Sequence, residues 1–407
     1  MRALFALLGV VLVGCSSEES GTESAPLDSG TAVDSAVAVD STTPLDSGGV
    51  DTSVADGTTV DTSVAETSTT DTSAADVADT KPPLGAPITA PKSTWTWVDF
   101  ADSTCDDGTK TGIGVNLADG PNVLVFHNGG GACWDATTCF TLRTATTGPY
   151  GATQFATTST TLNTAIFDRT DATNPFKDYS FVFVPYCTGD WHAGENVASY
   201  VVSGTTRTYH HEGRKNVRAF LARLGATFTA PTKVVVTGSS AGGFGATLDY
   251  DLYRAMWPSA QSYLLADAAP LLKNDDFPAT LRNQLYANWR LDKFLDSSCP
   301  ACKTDMSALI KARAAAYPSD RIGLLSTTQD TVVRTTFSLG ATAFETALLG
   351  LGTSVYDPTT RARYFFFAGS QHTLMFAWSA YVTGGVDAKT WIRRFVQDDT
   401  TWASVKP

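Results

Sequence analysis

Three residue types that can share one proton path are spread over the C-terminal half of the chain. They are Ser240 in Gly238-Ser-Ser-Ala-Gly242, Asp330 in Ser326-Thr-Thr-Gln-Asp330 and His372 in Gly369-Ser-Gln-His372. A serine hydroxyl is a weak nucleophile until a base takes its proton as it attacks. A histidine is such a base, and an aspartate can fix its tautomer and stabilise the imidazolium. The chemistry open to the three is acyl transfer through a covalent serine intermediate. For that, the serine must be pushed into the open. Its setting, Lys233-Val-Val-Val-Thr-Gly-Ser-Ser-Ala-Gly-Gly-Phe-Gly245, runs from an apolar β-branched segment straight into small residues. A phosphate-cradling loop from Gly238 would need Gly-Lys-Ser/Thr at Gly243 onward, where Phe244 and Gly245 stand, and a dinucleotide turn would need glycine in place of Ser240. GxSxG survives: a sharp strand-to-helix turn that holds the central serine strained and exposed. Taken alone, an ordinary tight turn competes with it.

The elements around these residues decide between the two. Apolar runs at Asn122–His127, Ser180–Val184, Val234–Val236, Ser262–Leu265, Arg321–Leu325 and Tyr364–Phe367 read as buried parallel strands. Val217, Phe220, Leu221 and Leu224 recur at helical spacing within 213–224. Strand and helix in alternation predict an α/β fold with a mostly parallel, doubly wound sheet, whose sites gather at the carboxyl ends of the strands. Ser240, Asp330 and His372 each follow such a run. Their order in the chain is that of the α/β-hydrolase fold, and the glycine loop Asn128-Gly-Gly-Gly131 after an early strand stands where that fold builds an oxyanion hole. Asp267, in Leu265-Ala-Asp-Ala-Ala-Pro270, competes for the acid position but follows one strand too early, and is expected to brace a loop near the pocket.

Asn128-Gly-Gly-Gly-Ala-Cys133, Asn174-Pro-Phe, Pro185-Tyr-Cys-Thr-Gly-Asp190 and Gly238–Gly243 together resemble the pectin acetylesterase/Notum family of carboxylesterases, over most of 95–375. The resemblance implies an α/β-hydrolase fold, no metal and no cofactor, and cleavage of O-acyl esters. It makes Ser240, Asp330 and His372 the triad and assigns the oxyanion hole to the amides of Gly130, Gly131 and Ala241. It also implies pairing of Cys105 with Cys187 and of Cys133 with Cys139. Three positions depart from the family. Ala132 replaces an aromatic residue, which predicts a wider acyl-pocket floor; Val333 stands where glutamine is frequent; Gly369 stands where a cysteine often forms a further bridge. The expected substrate is an acylated, above all acetylated, carbohydrate or another ester. A lipase-like or thioester-cleaving hydrolase of this fold, and a non-catalytic surface-displayed binding module, are the competing readings.

The remaining histidines read less sharply. His127 is expected to be a hydrogen-bonded strand-end residue, His192 to stand near the pocket, and His210 and His211 to be surface or capping residues. Residues 271–320 read as a largely helical insertion whose Phe277, Tyr286, Trp289 and Phe294 either form a lid over the acyl site or pack the core.

The N-terminus sets the compartment. Met1-Arg2, the apolar run Ala3–Val13 and Leu12-Val-Gly-Cys15 form a bacterial lipoprotein signal, too short to span a bilayer as a mature helix. Residues 1–15 are thus expected to be removed up to Cys15, which becomes the lipidated N-terminus of an exported, membrane-anchored protein, at the outer membrane or cell surface. Residues 16–88 consist almost wholly of Ser, Thr, Ala, Val, Gly and Asp. The part from 16 to 80 holds 14 acids and no Lys or Arg, against a net charge of −12 for the 407-residue chain. Such a stretch cannot bury enough surface to fold, and its acids are too sparse for a calcium cage, so it reads as a disordered, self-repelling tether. The rest, 89–407, is close to neutral and forms the hydrolase domain, expected to act as a monomer. Nucleic-acid binding has no support. Six cysteines follow Cys15, an even number that points to disulfides in an exported chain. Cys299-Pro-Ala-Cys302 reads as a local one, because no second CxxC or paired histidine stands nearby to complete a metal site.

Overall fold

The computed structural model describes residues 81–407, so the lipoprotein signal, Cys15 and most of the tether lie outside the described residues. Ten strands carry the architecture: β1 Thr96–Phe100, β2 Thr111–Asn116, β3 Val123–His127, β4 Ser180–Val184, β5 Asn196–Val202, β6 Thr205–His211, β7 Lys233–Ser239, β8 Gln261–Asp267, β9 Arg321–Thr327 and β10 Ala362–Phe367. Eight of them form one sheet in the order β1-β2-β4-β3-β7-β8-β9-β10. The neighbours from β4 to β10 are parallel, while β1–β2 and β2–β4 are antiparallel. The sequence runs match β3, β4, β7, β8, β9 and β10, and none marks β1, β2, β5 or β6. The hairpin β5–β6 stands apart as its own two-stranded sheet.

The buried strands are apolar throughout because both faces are covered, and the two-residue period of a strand divides their side chains between two cores. Val123, Val125, Val234, Val236, Leu264 and Leu324 face one core, with Val217, Phe220, Leu221 and Leu224 of the helix Gly213–Thr227. Leu124, Phe126, Val235, Leu265, Leu325 and Phe365 face the other, with Trp391 and Phe395 of the C-terminal helix Ala388–Val396. The fold is therefore the expected mixed, mostly parallel α/β sheet with interleaved helices.

Three further helices matter to the site: α1 Ala241–Leu248 directly after β7, α2 Ala279–Trp289 in the insertion, and α3 Thr331–Thr336 directly after β9. The insertion is helical as expected, and Phe277, Trp289 and Phe294 are buried in the core while Tyr286 is half-buried. Trp289 anchors it to the loop after β3 by donating from Nε1 to the Cys133 carbonyl at 2.9 Å. Cys105–Cys187, Cys133–Cys139 and Cys299–Cys302 are disulfides. The first ties the β1–β2 loop to the loop after β4, and the second closes the stretch just after the glycine segment.

Candidate active site

Ser240 occupies the residue between β7 and α1, at φ 59° and ψ −128°. A non-glycine residue is rare there, and the turn holds its side chain out from both elements. Glycine at 242 makes the turn possible, because a Cβ there would lie 1.9 Å from the His127 carbonyl oxygen at the end of β3. Ser240 is half-buried, and no side-chain hydrogen bond from it exists among the described residues.

His372 and Asp330 come from the loops after β10 and β9. Asp330 is fully buried, and its Oδ2 lies 2.7 Å from His372 Nδ1. The other oxygen, Oδ1, accepts from the backbone N–H of Val332 and of Val333, both at 2.9 Å, and so caps the N-terminus of α3. With both oxygens engaged, the carboxylate has one orientation. His372 Nδ1 donates to it, and Nε2 is left as the basic nitrogen.

Asp267 has other partners. It is buried at the end of β8, where Oδ1 accepts from Leu374 N at 3.0 Å and Oδ2 from Met375 N at 3.0 Å and Ser239 Oγ at 2.8 Å. Burial pushes its carboxyl above the usual range, and these three donors work against that shift. Of the two aspartates weighed as partner for the histidine, Asp330 is the one that meets it.

The glycine loop is fixed by its carbonyls. Tyr186 OH donates to the Gly131 carbonyl at 3.0 Å, His192 Nε2 to that of Asn128 at 2.9 Å and Thr146 N to that of Gly130 at 2.6 Å. Gly131 has φ +75°, and a Cβ on it would lie 2.1 Å from the Thr144 carbonyl oxygen, so only glycine fits. Among the described residues nothing accepts from the N–H groups of Gly130, Gly131 or Ala241. The last is the first N–H of a helix, which has no partner in its own turn. Three free donors beside a strained serine can meet a developing oxyanion.

A cavity of about 20 Å³ abuts Ser240, Gly131 and Ala241. Its walls are Ala132, Trp191, Phe244, Val333 and Phe337, with the exposed Val332 and the half-buried Thr336 completing the lining. The Trp191 and Phe244 rings stack at 4.0 Å, and Phe337 is backed by Phe277 of the insertion at 4.8 Å. Ala132 lines this space, and the rings of Trp191, Phe244 and Phe337 close in on it from other sides. Trp191 and His192 are held at φ 53° and 61° in a loop braced by Asp190, whose Oδ2 accepts from Gly213 N at 2.8 Å and Gly194 N at 3.1 Å. Burial raises the Asp190 carboxyl to about 6.

The histidines sort differently from one another. His127 is fully buried at the end of β3, with Nε2 2.6 Å from Tyr253 OH, as a strand-end residue should be. His192 stacks on it at 4.8 Å, and burial lowers its pKa to about 4, so it stays neutral while holding the glycine loop. His210 is half-buried against Glu212 at 3.0 Å. His211 corrects the expectation of a surface or capping residue. It is fully buried between Tyr200 OH and the Thr188 carbonyl, because β6 ends against the core. Cys133, Cys139 and His211 are the one grouping among the described residues with the spacing of a metal site, and the disulfide occupies both sulfurs.

Trp191, Phe244 and Phe337 were not legible as pocket residues, since three separate segments bring them together. The glycine loop, the turn at Ser240 and the two post-strand residues were signalled by motif and order.

The Pectinacetylesterase family model matches residues 91–318, more than half of the chain, and the chain belongs to that family. The match includes the glycine loop and Ser240 and ends before Asp330 and His372, which rest on the geometry above. A comparison with curated proteins gives no match.

Proposed function

We propose that this member of the pectinacetylesterase family is a serine esterase that removes acetyl groups from the hydroxyls of an extracellular polysaccharide. Membership makes the chain a carboxylic ester hydrolase. The finer reading is carried by one observation, the cavity of about 20 Å³ against Ser240. A buried water needs roughly 10–15 Å³ on this measure, so the cavity suits a methyl group and little more. A longer acyl chain would run into Trp191, Val333 and Phe337.

In this reading Ser240 Oγ attacks the acetyl carbonyl carbon while His372 Nε2 takes its proton. Asp330 holds the imidazole tautomer and stabilises the imidazolium. The amides of Gly130, Gly131 and Ala241 meet the oxyanion, each worth roughly 3–4 kcal/mol of barrier. Collapse of the tetrahedral species breaks the bond to the sugar oxygen, which takes the proton from His372. Water, deprotonated by the same nitrogen, then attacks the acyl-enzyme and releases acetate and free Ser240. Export as a lipoprotein, anchored through Cys15 and spaced by the acidic tether, belongs to the same proposal. Three disulfides in the hydrolase domain support an oxidising compartment.

The test is a chromogenic ester series from about two to sixteen acyl carbons, with chelator present and Ser240→Ala as control, alongside acetate release from acetylated polysaccharide. The expected profile peaks at acetate and is lost in the Ser240 variant. An optimum at about eight carbons or more would replace this reading with a lipase-like one, and equal rates for both proteins would end the catalytic claim.

A further inference from the structure

The serine and the histidine of the proposed triad sit on different strands, and nothing in the triad itself fixes their separation. Asp330 orients the imidazole ring, but it bonds only to His372 and to its own helix. Asp267 joins both sides with its main chain and its carboxylate. Asp267 lies directly opposite Ser239 in the β7–β8 register. Its carbonyl accepts from Ser240 N at 2.8 Å, and its Oδ2 accepts from Ser239 Oγ at 2.8 Å. The same carboxylate reaches across to Leu374 N and Met375 N, each at 3.0 Å, two and three residues beyond His372. The group is fully buried, so no water competes for these bonds.

We propose that Asp267 is a positioning residue that sets the reach of His372 Nε2 onto Ser240 Oγ by clamping the histidine loop to the serine turn. The inference rests on the triad reading given above. A carboxylate suits the task because it is acceptor-only, and three donors converge on it from two segments. An amide of the same shape would turn one acceptor into a donor facing an N–H or O–H group, and the histidine loop would shift to relieve that clash.

The assay is hydrolysis of a short-chain chromogenic ester by Asp267→Asn, His372→Ala and the double variant, with melting temperatures taken for each. A shift of about 1 Å in the reacting groups costs roughly 100-fold, so Asp267→Asn should lower kcat by about that factor while KM changes by less than about threefold. Because the effect passes through His372, the same substitution made on His372→Ala should lower the residual rate by less than about twofold. Equal losses in both backgrounds would mean general damage to the fold and would overturn the inference, as would an unaltered kcat in the single variant. Should Asp267→Asn not fold, Ser239→Ala removes one tie alone. Its smaller kcat loss should likewise vanish on His372→Ala, and persistence there would overturn the proposal. Full activity of His372→Ala would overturn the triad reading and this one together; a deep loss in that variant with equal Asp267→Asn factors overturns this one alone.

Discussion

Phe337→Ala gives the most direct measure of whether the walls of the cavity select the acyl group. Phe337 is 1 % exposed, at the end of α3, and its ring separates the space beside Ser240 from Phe277. The cavity is about 20 Å³ with the ring present, and a butyryl chain brings two more methylenes than an acetyl group. Burying a methylene contributes about 0.8 kcal/mol, so two contribute about 1.6 kcal/mol, or roughly 15-fold in kcat/KM, once there is room for them. In the wild type there is not, and the two methylenes are a steric penalty. The variant should therefore raise the butyrate-to-acetate ratio of kcat/KM by about 15-fold or more. Truncating a buried phenylalanine also costs about 3–5 kcal/mol of stability, so Phe337→Leu, which keeps more of the packing, should be measured beside it and show a smaller change of the same sign. The ratio, rather than either rate, is the readout, because loss of active protein cancels from it. A ratio within about twofold of wild type in both folded variants would refute the assignment of this cavity to the acyl group.

Asp330→Asn should keep helix α3 capped, asparagine being as good a cap as aspartate, yet cut kcat by about 10⁴-fold through the wrong imidazole tautomer. Asp330→Ala should lose both the activity and about 1 kcal/mol of stability, and calorimetry with ester kinetics separates the two effects. His211 is held neutral by burial, with its pKa pushed down to about 3 from an ordinary value near 6.5. The unfolded chain therefore binds the proton first, and the stability that a neutral His211 contributes is present above pH 6.5 and lost as pH falls toward 3. His211→Gln should thus narrow its stability gap to wild type by up to about 1.4 kcal/mol per pH unit below 6.5, read from denaturant midpoints; a gap that stays constant with pH would refute the assignment. Mass spectrometry of the exported protein should find a lipidated N-terminal Cys15, and an unmodified N-terminus or cleavage elsewhere would refute the anchor.

Order along the chain carried the main lines of this molecule. Apolar runs ending in small or polar residues marked six of the eight strands of the sheet, and Gly238–Gly242 marked the turn because a backbone that tight leaves few residue types possible. What escaped lacks a local signature. The walls of the cavity come from the loop after β4, from α1 and from α3, and each of Trp191, Phe244 and Phe337 looks in sequence like any core aromatic. The hairpin β5–β6 did leave a signal, two segments rich in β-branched and aromatic residues around the turn pair Ser203-Gly204. Reading it would have placed His211 at a strand end facing the core. Strands β1 and β2 are as long as β3 and β4, but polar or glycine residues such as Thr96, Asp99, Gly112, Gly114 and Asn116 interrupt them, and no continuous apolar run marks them.

The double engagement of Asp330 restricts how this enzyme can be remodelled. One oxygen sets where α3 begins, and the other sets where the imidazole points. A residue inserted at the start of that helix would rotate Val333 and Phe337 by about 100° around its axis, and would do so while disturbing the base. Exchange of side chains along a helix of fixed starting point leaves the histidine untouched. If the cavity holds the acyl group as proposed, new acyl preferences are reached by substitution at positions such as 333 and 337, or by lengthening α3 at its far end, and not by sliding its register.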